Sequence, residues 1–431
     1  MIEKQASCED DGEPLLLPVA EARQRLLTSL QPVCEAVELP LSEALYRVLA
    51  ADIVSPVDVP PQANSAMDGY ALQRTSIPAS GERSLQVVGT AWAGQPFTGQ
   101  VGEGQAVRIF TGGIMPVGCD TVVIQEHVRC RTAPTDGPGL IDIDSEVIAG
   151  KNVRQAGEDV ACGQMVLPRG RQLHAADIGV LASLGIARVN VVRPLKVAFF
   201  STGDELCALD EHVPGTPLAP GKLFDSNRYT MAALLRGLHV EVMDLGIVRD
   251  NESDTRDALL RASADADVVI SSGGVSAGDA DFVTRVFHEV GQVSFWKLAM
   301  RPGRPLAFGK VGQAAFFGLP GNPVAVMVTF LEFVQPALKH LAGMHDLDTP
   351  LLPARCLSTL RKSPGRVEYQ RGIMRLDEQG ELVVESTGKQ GAGRLSSMSA
   401  ANCLIVIASE MDGVQLGDRV QVQPFHGLLP G

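Results

Sequence analysis

Apolar residues follow two rhythms along this chain. From residue 195 onward they form short continuous runs: LKVAFFS (195–201), VEVMDLGIV (240–248), DVVISSGG (267–274) and AAFFGLPG (314–321). Runs of this length, bounded by turn residues, predict strands buried on both faces. Between them the spacing changes to three and four. DSNRYTMAALLRGLHV (225–240) opens on the capping types Asp225 and Ser226 and sets Met231, Leu234, Leu235 and Leu238 on one helical face. Ser253 opens a second helix to about residue 264. Val283, Val286, Phe287 and Val290 mark a third, and residues 324–341 an apolar fourth. Strands alternating with helices predict an α/β fold on a doubly wound parallel sheet.

The flanking segments differ. Residues 18–31 and 40–50 read as short amphipathic helices, the second with Ser42 as its N-cap. From about 72 to 149 apolar and polar residues alternate between Gly and Pro breaks, with strands predicted in SLQVVGTAWAG, GQAVRIFTGG and DTVVIQEHVRC and a long turn in TAPTDGPG. A helix at 175–184 stops at Gly185. Beyond 342, short strands with turns at DEQGE and QLGDRV predict a small β-barrel. The expected domains are 1–54, N-terminal helices packing with 150–194 as a mixed elongated or dimerisation domain; 55–149, β-rich; 195–341, α/β; and 342–431, the barrel.

Composition narrows the chemistry. The 431 residues are 45% hydrophobic and 20% charged, with a net charge of −13. A chain that lives on phosphate-backbone contacts usually shows a broad basic surface, so nucleic acid is not expected as a partner. The N-terminal MIEKQASCEDDGEP lacks the basic-then-apolar pattern of a secretory signal and reads as a disordered acidic tail. No stretch is expected to span a membrane. Eight scattered cysteines without a C-x-x-C spacing argue against a zinc site or a disulfide framework. They read mostly as buried thiols in a reducing, cytoplasmic setting.

Three strands feed unusual loops to what a parallel sheet makes a common edge. They are Ser201–Glu205 (STGDE), Ser272–Asp281 (SGGVSAGDAD) and Gly318–Pro323 (GLPGNP). Gly273 and Gly274 permit close backbone approach, and Ser276 adds a hydroxyl, as an anion cradle needs. Carboxylates in the same loop would repel phosphate unless a hard cation lies between them. Mg2+ takes oxygen ligands and bridges carboxylates to substrate phosphates. Glu205, Asp250, Asp279 and Asp281 are therefore the candidate metal ligands. The plainer alternative is that Asp279 caps the following helix and Asp281 sits in its first turn. In FWKLAMRPGRPLAFG (295–309), Lys297, Ala299 and Arg301 fall on one face of a strand, and Trp296, Leu298 and Met300 on the other. Arg304 follows a Pro-Gly turn. These cations either meet anions or decorate a solvated edge strand. No G-x-G-x-x-G follows a strand and no G-x-x-x-x-G-K-[ST] is present, which removes the main support for dinucleotide and P-loop readings.

Taken in order, NSAMDGYA (64–71), FTGGIMPVGCDTVV (110–123), RQAGEDV (154–160), STGDEL (201–206), DSNR (225–228), GIVRDN (246–251), SSGGVSAGDADF (271–282), FWKLAMRPGRPLAFG, GLPGNPV (318–324) and GRVEYQRG (365–372) resemble the molybdopterin molybdenumtransferases, the family that includes the C-terminal domain of gephyrin. The resemblance implies a four-domain homodimer whose 195–341 segment is a molybdopterin-binding domain. It implies that adenylylated molybdopterin and molybdate are substrates, that Mg2+ is required, and that molybdenum cofactor and AMP are released. It implies transient contact with molybdopterin-adenylylating and cofactor-accepting proteins, and no membrane.

Motif by motif, the resemblance puts Glu205, Asp250 and Asp281 around the metal and the phosphoanhydride, with Lys297 and Arg301 holding anionic groups. Arg304 and Arg366 join them at molybdate, and Pro320 and Pro323 shape the pterin-side loop. Asp68, Thr111 and Asp159 would reach the site from the other subunit; an Asp-Gly turn is the plainer role for Asp68. Arg301 and Arg304 stand where the family often has lysine, and Ala325 where it often has serine. The competing functions are a molybdopterin adenylyltransferase-like enzyme, whose GGTG-type loop is here Gly-Gly-Val-Ser, and a non-enzymatic molybdopterin-binding scaffold.

Overall fold

The continuous apolar runs form the centre of one sheet. The structure, a computed structural model, describes residues 16–131, 139–274, 286–287 and 289–425. They divide into two units: the described residues within 16–37, 46–50 and 191–425, and those within 38–45 and 51–190.

In the first unit, strands β1 (Lys196–Thr202), β2 (Glu241–Val248), β3 (Val268–Ser272), β4 (Gly291–Lys297), β6 (Pro305–Val311) and β7 (Ala314–Leu319) form a sheet in the order β2-β1-β3-β7-β6-β4. The first four in that order are parallel; β6 pairs antiparallel with both β7 and β4 and is the one strand of this sheet that runs the other way. The sheet is thus parallel in its site-bearing half and mixed overall, because β4, β6 and β7 follow one another without helical crossovers.

Alternation along each strand assigns its faces. Val197, Phe199, Val268, Ile270 and Phe317 pack with helices α1 (Val19–Ser29), α2 (Ser226–Gly237) and α4 (Pro323–Leu341). Ala198, Phe200, Val269 and Phe316 pack on the opposite face with Ala258, Leu259 and Ala262 of α3 (Glu252–Asp265). Phe199, Phe200, Phe316 and Phe317 are at most 2% exposed, and burying each contributes about 1.5–3 kcal/mol. Helix α1, grouped by sequence with residues 150–194, buries Ala22 and Leu26 in this core.

Asp225 caps α2 as its residue type predicts, accepting from Arg228 N at 3.0 Å. Asn251, not Ser253, caps α3, accepting from Asp254 N at 2.9 Å. The helix predicted over 40–50 is a single 3-10 turn, Leu41–Glu43, and the chain takes φ 63° at Tyr46, which ends any helical path. The helix at Ala175–Ser183 ends before Gly185 at φ 73°, as expected.

By length and composition alone α4 would be long and apolar enough to span a membrane, with 19 residues and a mean hydropathy of 1.3. It is instead the core helix of this unit, 83% buried within the protein. It contains a π-helical turn, Phe330–Val334, whose Glu332 accepts a hydrogen bond from Tyr369 Oη at 3.0 Å. Burial pushes the Glu332 carboxyl up.

The C-terminal strands close on themselves. Strands β8 (Leu352–Cys356), β9 (Val367–Leu376), β10 (Leu382–Ser386), β11 (Cys403–Ile407) and β12 (Arg419–Pro424) pair in the order β9-β10-β8-β12-β11, and β11 returns to β9. The expected barrel is present, with Val384, Cys403, Ile405 and Val422 inside. Helix α5 (Leu395–Ala400) lies between β10 and β11. The predicted strand 295–309 is not one strand. β4 ends at Lys297, and Met300–Arg301 (β5) joins the barrel by pairing with Val367 and Glu368 before the chain returns as β6. The predicted face alternation persists: Leu298 and Met300 are fully buried, while Lys297 and Arg301 are exposed.

The second unit is β-rich. Its main sheet holds Thr121–Ile124, Gly69–Leu72, Gln105–Ile109, Glu82–Ala91, Leu140–Asp144 and Arg129–Cys130, in that order. Most of the predicted turn TAPTDGPG lies outside the described residues. Cys356 and Cys403 are buried as expected of packed thiols, whereas Cys34, Cys130 and Cys162 are exposed.

Candidate functional site

The carboxyl ends of β1, β3 and β7 open onto one cleft of about 760 Å³. Its lining brings together Glu205, Asp250, Gly273, Gly274, Arg301, Arg304, Pro320 and Pro323 from the sequence-derived set. Parallel strand order explains the convergence: the three strand ends lie side by side although their loops are far apart in the chain. The loops touch. A Cβ on Gly321 would lie 4.0 Å from Gly273 Cα, and one on Gly273, at φ 94°, would lie 2.5 Å from Thr202 O. Only glycine fits position 273. Its N–H is not free for a ligand, because it donates to Leu319 O at 3.0 Å.

The other sequence candidates lie elsewhere. Lys297 is exposed at the end of β4, does not line this cleft, and accepts from Leu17 N at 2.8 Å through its carbonyl. Arg366 is half-buried and also off the cleft. Ser276, Asp279 and Asp281 lie outside the described residues. Asp68, Thr111 and Asp159 belong to the second unit. There Asp68 Oδ1 accepts from both the N–H and the hydroxyl of Thr111 at 2.8 Å, and these bonds hold its carboxyl below the usual range. Asp159 is exposed.

Charge in the cleft is divided. Asp250 carries a raised carboxyl pKa, from partial burial first and then from the Asp204 and Glu205 charges. Three carboxylates repelling one another at a strand end, all oxygen donors, suit a hard cation. Among the described residues, however, no three His, Cys, Asp or Glu side chains are grouped closely enough to hold a metal ion. Glu205 and Asp250 therefore fit Mg2+ in donor type but do not complete its ligand set. Arg301 and Arg304 supply the basic lining. Arg301 Nη1 lies 3.3 Å from Glu368 Oε1, so the barrel positions it.

Several lining groups were not singled out from sequence. Asn227 Nδ2 donates to Ser272 Oγ and to Gly321 O, both at 2.8 Å. Thr202 Oγ1, Asp225 Oδ2 and Asn227 Oδ1 are buried without a partner among the described residues, and all three residues line the cleft. Unpaired buried polar atoms at a cavity are what a polar ligand would satisfy. Ala325, set aside in the sequence for its missing hydroxyl, lines the cleft, as do Gln390, Gly391 and Ala392 from beyond β10. Ala392 O accepts from Val324 N at 3.0 Å, which docks that segment on α4.

A neighbouring cleft of about 380 Å³ shares Arg301, Pro302 and Gln390 with the first. Arg371 lines it, 1% exposed, donating to Ser397 Oγ at 3.0 Å and Gly391 O at 3.1 Å with no ion pair among the described residues. Burial lowers its pKa to about 10. The GRVEYQRG motif held this signal, but Arg366 rather than Arg371 was chosen from it. Arg371 lies within β9 and is buried, whereas Arg366 precedes the strand and is half-buried, a difference that the stretch itself does not reveal.

Known proteins share this architecture. Residues 17–185 match the family described as MoeA N-terminal region (domain I and II), 198–340 the probable molybdopterin binding domain, and 353–425 the MoeA C-terminal region (domain IV). A protein of Haemophilus influenzae named molybdopterin molybdenumtransferase is 43% identical, over 96% of this chain and 100% of its own length. Gephyrin of Dictyostelium discoideum is 30% identical, over 94% of this chain and 62% of its own length. The crystal structure of the molybdopterin biosynthesis moeA protein from Pyrococcus horikoshii OT3 aligns with a TM-score of 0.81 at 28% identity, covering 95% of this chain and 100% of that one.

Proposed function

Because this chain belongs to the molybdopterin molybdenumtransferase family, we propose that it inserts molybdenum into adenylylated molybdopterin, taking molybdate and releasing AMP. Membership makes it an enzyme of molybdenum cofactor biosynthesis. The adenylylated form of the substrate, the Mg2+ requirement and AMP release are the finer parts of the reading.

One observation carries it: a single cleft combines glycine turns, paired acids and two arginines. Such a lining suits a ligand that is both a phosphoanhydride and a docking point for a small oxyanion. Gly273 and Gly274, packed against Thr202, keep side chains out of the part of the cleft where phosphate would lie. Arg301 and Arg304 hold molybdate by charge-assisted hydrogen bonds, with arginine's planar fork in place of a point charge. The 320–323 loop, with two prolines, presents a rigid wall to the pterin side. Glu205 and Asp250 would hold Mg2+, completed by substrate oxygens and by Asp279 and Asp281. When bound, that ion neutralises phosphate charge and polarises the phosphoanhydride. No covalent nucleophile is called for; the chain's contribution is positioning and electrostatics. The working form in this reading is a cytoplasmic homodimer.

The test is reconstitution with adenylylated molybdopterin, molybdate and Mg2+, following AMP release together with activation of a cofactor-free molybdoenzyme. Molybdate-dependent AMP release without ATP consumption is the expected result. ATP consumption in the absence of molybdate would instead indicate an adenylyltransferase. Wild-type turnover of both Asp281→Ala and Glu205→Gln at saturating Mg2+ would end the metal assignment.

A further inference from the structure

The proposed chemistry leaves one wall of the cleft unused. Leu206–Cys207 pairs in parallel with Leu223–Phe224, making a two-stranded ribbon beside the acidic end of the site. Leu206, Leu223 and Phe224 all line the cleft. Two of these apolar residues are open to solvent, Leu223 at 50% and Phe224 at 38%. The ribbon is held in place while its side chains stay exposed. Leu223 N donates to Glu205 O at 3.0 Å, Asp225 N donates to Cys207 O at 3.2 Å, and Lys222 Nζ donates to Asp204 O. The Phe224 ring meets His212 edge-on, with centroids 4.9 Å apart. An aromatic ring exposed in a polar cleft, met edge-on by one neighbour and fixed through its backbone, has the features of a stacking platform.

Resting on the function proposed above, we propose that the ribbon binds the adenine base of the substrate, with Phe224 as its stacking face and as a specificity-determining residue. The chemistry of the ligand gives the direction. Its phosphoanhydride lies between the adenosine and the pterin. The pterin carries the atoms that receive molybdenum, so it must reach the arginine end, where the oxyanion docks. The backbone bond to Glu205 ties the ribbon to the opposite, acidic end, and that end is left to adenosine. Base stacking on an aromatic side chain is worth roughly tenfold or more in affinity.

The experiment is calorimetric titration of the whole protein with three probes: AMP, ribose 5-phosphate and a 6-substituted pterin. Phe224→Ala and Phe224→Leu are expected to weaken AMP at least about tenfold while leaving ribose 5-phosphate within about twofold. Phe224→Tyr, which keeps the π-face, is expected to retain AMP affinity. Unchanged AMP binding in Phe224→Ala overturns the proposal. So does an equal loss for AMP and ribose 5-phosphate, which would mean that the ribbon serves the phosphate or the fold. Loss of pterin binding in place of AMP binding overturns it in favour of a pterin platform. Wild-type protein that binds no AMP overturns the nucleotide reading itself, and this proposal with it.

Discussion

Asn227 and Gly321 are 94 positions apart in the chain, yet the Asn227 side-chain amide donates to the Gly321 carbonyl at 2.8 Å. The same nitrogen donates to Ser272 Oγ, so one buried amide ties the start of α2, the end of β3 and the proline-bounded loop after β7. The cleft rim depends on this tie.

Replacing Asn227 with Ala takes the donor away from the buried Ser272 hydroxyl and the part-buried Gly321 carbonyl. The expected cost is about 2 kcal/mol of stability, together with a looser 320–323 loop. Urea denaturation of the variant checks the first. A rise in the Michaelis constant for the pterin substrate that exceeds any fall in turnover number checks the second.

Gly273 is expected to tolerate no side chain. At φ 94°, with a would-be Cβ 2.5 Å from Thr202 O, Gly273→Ala sets backbone against backbone and has no flexible neighbour to yield. A loss of about 2–3 kcal/mol is expected from strain and displacement together. Thermal unfolding of Gly273→Ala beside Gly343→Ala, where the side chain would meet open space, isolates the steric part, since both positions have positive φ.

Asp250 gives a pH signature. Its folded pKa is raised above the unfolded value, so the folded state holds the proton more tightly and binds more protons through the titration range. Stability from this group therefore falls as pH rises from the unfolded pKa through the folded one, and the penalty is complete above it. Asp250→Asn removes the ionisation. The melting temperature of wild type relative to Asp250→Asn is expected to drop as pH rises from about 4 toward neutrality. Added Mg2+ is expected to narrow that gap in wild type, which fluorimetric melts across pH with and without Mg2+ would show.

Arg301 separates charge from geometry. Its side chain is 63% exposed, so its ion pair with Glu368 adds little to stability, and Arg301→Ala is expected to unfold within about 1 kcal/mol of wild type. Its molybdate Michaelis constant is expected to rise about tenfold, and Arg301→Lys to fall between the two, because lysine keeps the charge and loses the fork. Steady-state molybdate titrations of the three proteins decide it.

The sequence by itself determined the elements of the α/β half, since burial on both faces leaves an unbroken apolar run and helix faces repeat every three to four residues. It also determined that glycine turns and acids end those strands. Tertiary structure alone decided which of these features meet. Strand order put the ends of β1, β3 and β7 side by side, and it left Lys297 on an edge strand while carrying Arg301 into the barrel. Asn227 is held at the cleft by bonds across 45 and 94 positions, and Arg371 is buried where Arg366, five residues earlier in the same motif, is only half-buried. Local periodicity encodes which face of an element is buried. It does not encode the neighbour that buries it, because that neighbour is chosen by long-range packing.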